Sequence, residues 1–269
     1  MFSSPRLPDR KPLLGIGICY PSPGIVERIG IDWDWLWIDG QHGEFGYQDI
    51  LALVRACDLI GRPVFIRVAS HGYGEIGQAL DMGGAGVVVP CVDSVEQARE
   101  LVLAAKFPPL GNRSYGSRRL VDLHGRMFVE QANAETMLIV QIETPLAISN
   151  ADAIASLPGV DALFLGPDDV LLRRGLPMNA PRNPETLGPD VRTVVEACRK
   201  HGKKAFTIGG STEMAVFLIQ CGYDFIVCGS DVAFLDAGSK NVAANMKNAL
   251  VGQPPASGPA GAGNKPAGS

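Results

Sequence analysis

Several absences narrow what this 269-residue chain can be. No apolar stretch approaches the ~20 residues that cross a bilayer, so no membrane span is expected. Its six cysteines (Cys19, Cys57, Cys91, Cys198, Cys221 and Cys228) contain no C-x-x-C pair, and its four histidines contain no H-x-x-x-H. That argues against a zinc ribbon or a histidine-paired zinc centre. There is no basic run and the net charge is −4, which argues against a nucleic-acid surface. The opening residues show no apolar core ahead of a small-residue cleavage site, so no signal peptide is read. The expectation is a cytoplasmic protein with reduced cysteines.

Hydrophobic residues make up 46% of the chain and charged residues 19%, enough apolar material for a sizeable core. From residue 253 the sequence turns to Pro, Gly, Ala and Ser without periodicity, and it reads as a flexible tail. Residues 1–12 read as an N-terminal extension. Between them, eight near-continuous apolar runs begin at about residues 14, 35, 64, 86, 138, 162, 204 and 225. Runs of this kind suit strands covered on both faces. Amphipathic segments alternate with them, several closed by glycine. The pattern predicts an α/β fold, a single-domain (β/α)8 TIM barrel over residues 13–252, with a doubly wound sheet as the alternative. Two intervals, 92–137 and 168–203, hold long loops of the kind that serve function or interfaces.

Chemistry in such a barrel sits at the C-terminal strand ends. There the sequence places Asp39-Gly40-Gln41-His42, Arg67, Gln141-Ile142-Glu143-Thr144 and Gly166-Pro167-Asp168-Asp169. Glu143 and Asp169 follow neighbouring strands and suit a hard divalent cation, which often takes only one or two protein oxygens. Asp168 or Asp169 could instead cap the next helix. His42 could serve as a general base or be a loop histidine bonded to a carbonyl. Arg67, alone in an apolar strand, needs an anionic partner: a structural carboxylate such as Asp39, or negative charge developing on a substrate. His71 is a reserve candidate. The tryptophans at 33, 35 and 37 read as packing.

Together, the segments WLWIDGQHG, FIRVAS, the run from ALDMGGAG to NRSYG, VQIET and GVDALFLGPDDV resemble the HpcH/HpaI aldolases, metal-dependent class II pyruvate aldolases. The resemblance spans about residues 13–250. It implies that His42 is the general base, Arg67 the enolate-stabilising arginine, and Glu143 and Asp169 the ligands of a divalent metal (Mg2+, Mn2+ or Co2+). It implies substrate contacts from Gln141, Gly166, Pro167, Asp168, Asp169 and Ile208, and a base-tuning role for Asp81. By position in the chain, however, Asp81 closes a helix ahead of a strand, at the barrel end opposite His42. Three departures from the family pattern stand out: Gln41 replaces the usual glutamate, Gly17 replaces a tryptophan found in one branch, and Asp168 adds a carboxylate.

The reaction implied is reversible retro-aldol cleavage of a 4-hydroxy-2-oxo acid to pyruvate and an aldehyde. A metal–enolate lyase or decarboxylase of the citrate-lyase type, or a catalytically silent barrel scaffold, are the alternatives. The implied partners are a small-molecule 2-oxo acid and an aldehyde. The resemblance also implies a homo-oligomer, a hexamer built as a trimer of dimers that exchange the last helix, with residues 235–252 offering apolar positions at helical spacing and the loop 112–119 placed to reach a neighbour.

Overall fold

The apolar runs form eight parallel strands: β1 (Leu13–Ile18), β2 (Trp35–Asp39), β3 (Val64–Arg67), β4 (Gly86–Val89), β5 (Met137–Ile142), β6 (Ala162–Leu165), β7 (Lys204–Ile208) and β8 (Phe225–Ser230). They close in sequence order, β8 pairing with β1, so the barrel reading holds and the open sheet does not. This is a computed structural model, and it describes residues 12–252. The N-terminal extension and the tail expected from the sequence lie, apart from residue 12, outside the described residues.

The helices are α1 (Pro23–Ile29), α2 (Tyr47–Leu59), α3 (Tyr73–Asp81), α4 (Val95–Ala105), α5 (Arg118–His124), α6 (Val129–Glu135), α7 (Pro145–Ser149), α8 (Ala151–Ala155), α9 (Pro167–Arg173), α10 (Pro184–Lys200), α11 (Thr212–Cys221) and α12 (Asp231–Leu250). Their starts follow local chemistry. Ser94 and Asn183 cap α4 and α10 with reciprocal bonds, and the Ser211 side chain accepts the Met214 amide at the start of α11. The described chain divides into two compact units after Asp231, the second made mostly of α12. No described helix is long and apolar enough to cross a membrane.

Two apolar layers result. The larger lies between strands and helices and includes Ile16, Leu36, Ile66, Val87 and Leu163. The smaller fills the barrel with Trp35, Trp37, Phe65, Phe164, Phe206 and Phe225. Phe206 and Phe225 stack at 3.9 Å, and Trp35 meets Phe65 edge-on at 5.5 Å. Trp35 fits only because residue 15 is glycine: a Cβ there would stand 2.4 Å from its ring. Aromatic bulk thus closes the lower barrel and leaves the chemistry to the strand ends above it.

Candidate active site

Strand alternation delivers the site. Side chains two residues apart share a face, so the row Trp35–Trp37 on β2 ends in Asp39, Phe65 on β3 is followed by Arg67, and Ile139 on β5 by Gln141 and then Glu143.

Arg67 and Asp39 are both buried and paired at two points, Nε to Oδ1 at 2.9 Å and Nη2 to Oδ2 at 2.6 Å. The guanidinium also lies 4.6 Å from the centre of the Trp37 ring. The structural partner considered for Arg67 is therefore present. It occupies one edge of the fork, and Nη1 makes no hydrogen bond to the described residues. Asp39 Oδ1 also accepts the amides of Gln41 and His42, each at 3.2 Å, and so shapes the turn that presents His42. The His42 ring is exposed and bonds to none of the described residues. It is His71 that is tied to a carbonyl, its Nε2 2.7 Å from Pro90 O.

Glu143 is 2% exposed. Its Oε1 accepts the Cys91 amide at 2.6 Å and its Oε2 accepts Gln141 Nε2 at 2.5 Å. No basic side chain among the described residues pairs with it. Cys91 reaches it from a left-handed backbone at φ +57°. Burial, and then its bond to Glu143, push the Cys91 thiol up to about 11. Gln141 Oε1 is buried without a hydrogen-bond partner among the described residues. Gly166 completes the cradle: a Cβ there would sit 2.9 Å from both Gln141 Nε2 and Glu143 Oε2.

Helix α9 begins at Pro167 with Gly166 as its N-cap, so neither Asp168 nor Asp169 is the cap. Both stand in the first turn, half-exposed. Asp169 Oδ1 is 3.7 Å from Arg173 Nε, and Asp168 Oδ1 is 2.5 Å from Arg182 Nη2. Ile208 ends β7 against the inner core. Thr144 of the QIET segment caps α7, accepting the Ala147 amide at 2.9 Å.

Asp81 is placed elsewhere. It ends α3, and its carboxylate meets Arg113 Nη2 at 2.5 Å, while Ser117 donates to its carbonyl. Within one chain it serves the connection after α4, at the end of the barrel away from His42. Sequence reasoning passed over Cys91, whose only signal was its place at the end of an apolar run, and Asp231, which follows the last strand. Asp231 is fully buried and accepts the amides of Cys19 and Tyr20 at 2.9–3.1 Å. It also passed over Arg173 and Arg182.

The donor set suits a hard divalent cation. Glu143 is a buried carboxylate held by N–H donors and lacking a countercharge, a costly arrangement unless a cation joins it. Among the described residues no three His, Cys, Asp or Glu side chains form a metal cage. Two carboxylates with open positions fit Mg2+-type coordination.

The fold is that of a (β/α)8 barrel enzyme, with a buried polar cluster at the C-terminal ends of its strands. Its sequence matches the HpcH/HpaI aldolase/citrate lyase family over residues 23–236, and the chain belongs to that family. It is 33% identical to a 2-dehydro-3,6-dideoxy-6-sulfogluconate aldolase of Pseudomonas putida, over 82% of this chain and 88% of that one. It is 35% identical to a 2-keto-3-deoxy-L-rhamnonate aldolase of Salmonella schwarzengrund, over 74% and 75%. A solved HpcH/HpaI aldolase/citrate lyase family protein from Burkholderia cenocepacia superposes with a TM-score of 0.79 at 26% identity, covering 88% of this chain and 95% of that one. The protein is a carbon–carbon lyase, an aldolase of the class that cleaves 4-hydroxy-2-oxo acids reversibly to pyruvate and an aldehyde.

Proposed function

We propose that the barrel mouth performs this cleavage with a divalent cation, Mg2+, Mn2+ or Co2+, held by Glu143 and Asp169. The observation that carries the reading is the buried Glu143 carboxylate with no basic partner among the described residues. When bound, the cation supplies the Lewis-acid charge that makes a pyruvate enolate accessible.

The chain's own residues do the rest. Arg67, aimed by Asp39 and Trp37, presents its remaining N–H edge to the oxygen on which negative charge develops. His42, exposed and bonded to none of the described residues, accepts the 4-hydroxyl proton in cleavage and returns it in synthesis. Gln141 and the backbone from Gly166 through Pro167 and Asp168 to Asp169 contact the pyruvate half, and Ile208 borders the aldehyde. No Schiff-base lysine takes part: the one lysine in the described strands, Lys204, opens β7 at the far end of the barrel near Asp224. A tuning role for Asp81 is open only toward a second copy's histidine, because in its own chain Asp81 pairs with Arg113.

The protein is proposed to act as a hexamer, a trimer of dimers that exchange α12. This helix carries Leu235, Val242, Met246 and Leu250 at helical spacing. The six cysteines are free, which fits a cytoplasmic setting. The deciding experiment measures pyruvate release from a panel of 4-hydroxy-2-oxo acids with and without added metal. Metal-dependent pyruvate formation supports the reading. Its absence across the panel, or full turnover by verified metal-free protein, overturns it.

A further inference from the structure

Around the proposed metal site, each of the two half-exposed carboxylates faces an arginine that the mechanism does not use. Arg173 lies one turn after Asp169 on α9. Helical side chains lean toward the N-terminus, which carries its guanidinium back to the barrel mouth, 3.7 Å from Asp169. Arg182 comes from the long connection between α9 and α10. It folds back until Nη2 is 2.5 Å from Asp168 and Nη1 is 3.8 Å from where a Cβ on Gly210 would stand. Arg182 thus spans the ends of β6 and β7, the strands that deliver Asp169 and Ile208.

We propose that Arg173 and Arg182 form an anion-reading subsite for the far end of the aldehyde, so that the preferred aldehyde carries a terminal carboxylate, sulfonate or phosphate. This rests on the aldolase reading above. The pyruvate half is fixed deep in the mouth by the Arg67, Gln141 and Glu143 row. The aldehyde half then extends outward past Ile208, and its distal group emerges at the β6–β7 rim where the two guanidinium groups stand. Both arginines are half-exposed, with side-chain accessibilities of 45% and 41%, and each keeps N–H donors that no described residue accepts. Exposed ion pairs of this kind contribute only about 0.2–1 kcal/mol to stability, so folding alone gives little reason for two of them at one rim. With Asp169 engaged by a cation, Arg173 has lost its carboxylate partner, and its charge is available to an incoming anion. The planar fork matches the paired oxygens of all three anionic groups.

The test is aldol addition of pyruvate to aldehydes of equal length ending in carboxylate, sulfonate, phosphate or methyl, using the full chain with Mn2+. The anionic aldehydes should show a kcat/KM about tenfold or more above the methyl one, the worth of one hydrogen bond to a charged group. In Arg182→Gln and Arg173→Gln that ratio should fall toward one through a higher KM for the aldehyde, with Arg182→Lys in between. Added NaCl should erode it in the wild type. Independently of turnover, calorimetry should show that an unreactive dicarboxylate of the same length binds the pyruvate-loaded protein more weakly in Arg182→Gln. Which of the three anions is preferred identifies the natural terminal group. A ratio near one, or a preference that neither variant alters, overturns the subsite while leaving the aldolase reading intact. No pyruvate turnover with any aldehyde overturns both.

Discussion

Asp39 and Arg67 are locked in a two-point ion pair across neighbouring strands, with Trp37 beneath the guanidinium. The pair sets the direction of the remaining arginine edge, the one proposed to meet substrate. Arg67→Lys keeps the charge and loses the fork, so kcat should fall roughly 10²-fold or more. Asp39→Asn leaves a buried guanidinium uncompensated and should cost about 3–5 kcal/mol of stability in denaturant melts. Wild-type turnover in Arg67→Lys would reduce the pair to a structural role.

Gly166 leaves no room for a side chain beside Glu143. Gly166→Ala should push Glu143 and Gln141 out of line, because its Cβ would meet both at 2.9 Å. The expected outcome is weaker Mn2+ binding in a titration followed by electron paramagnetic resonance, with little change in melting temperature. In the wild type, EDTA should abolish cleavage, and Mn2+, Mg2+ or Co2+ should restore it. Unchanged Mn2+ affinity in the variant would separate Gly166 from the metal site.

His42→Ala should lower aldol cleavage by roughly 10²–10⁴-fold, the usual worth of a positioned acid–base group. Pyruvate should still bind, since Glu143, Asp169 and Arg67 remain. Cleavage at the wild-type rate in the variant would move the base to another group, with His71 the first to examine.

Truncation before Leu235 removes most of α12 and its apolar residues. Light scattering should show an oligomer for the full chain and a smaller species for the truncated one. A monomeric full-length protein at working concentration would refute helix exchange.

Alkali should destabilise the fold before it ionises the interior thiols. Burial, aided by Asp231 and Asp39, pushes Cys19 up to about 11, and burial pushes Cys198 up to about 12, against 9.0 for a free thiol. Below pH 9 both states hold these protons and the two thiols add no pH dependence. Between 9 and about 11–12 the unfolded chain releases them while the folded chain does not, so stability declines with rising pH. Denaturant midpoints measured at pH 8 and pH 10 should fall, and Cys19→Ser should reduce the fall. Iodoacetamide should label the native protein slowly at pH 7.5.

The barrel and the residues gathered at its mouth are legible in the chain alone. Eight apolar runs with intervening helices leave few other closures, and a period of two along each strand sends Asp39, Arg67, Gln141 and Glu143 to one end and one face. The tryptophans at 35 and 37 were legible as core for the same reason, although the use of Trp37 as a platform for Arg67 was not. Which charges meet depends on the folded arrangement. Arg67 finds Asp39 across 28 residues and Glu143 is clasped by Cys91 across 52, because strand register and barrel closure set those neighbours. Asp81 has a carboxylate as acidic in composition as Asp169, yet it goes to Arg113 because a helix running back along the barrel ends at the opposite face from the site. Arg182 reaches the mouth through an irregular connection with no periodicity to read. Local pattern fixes which face a side chain takes, whereas Coulomb partners depend on a few ångströms of three-dimensional approach that no local pattern encodes.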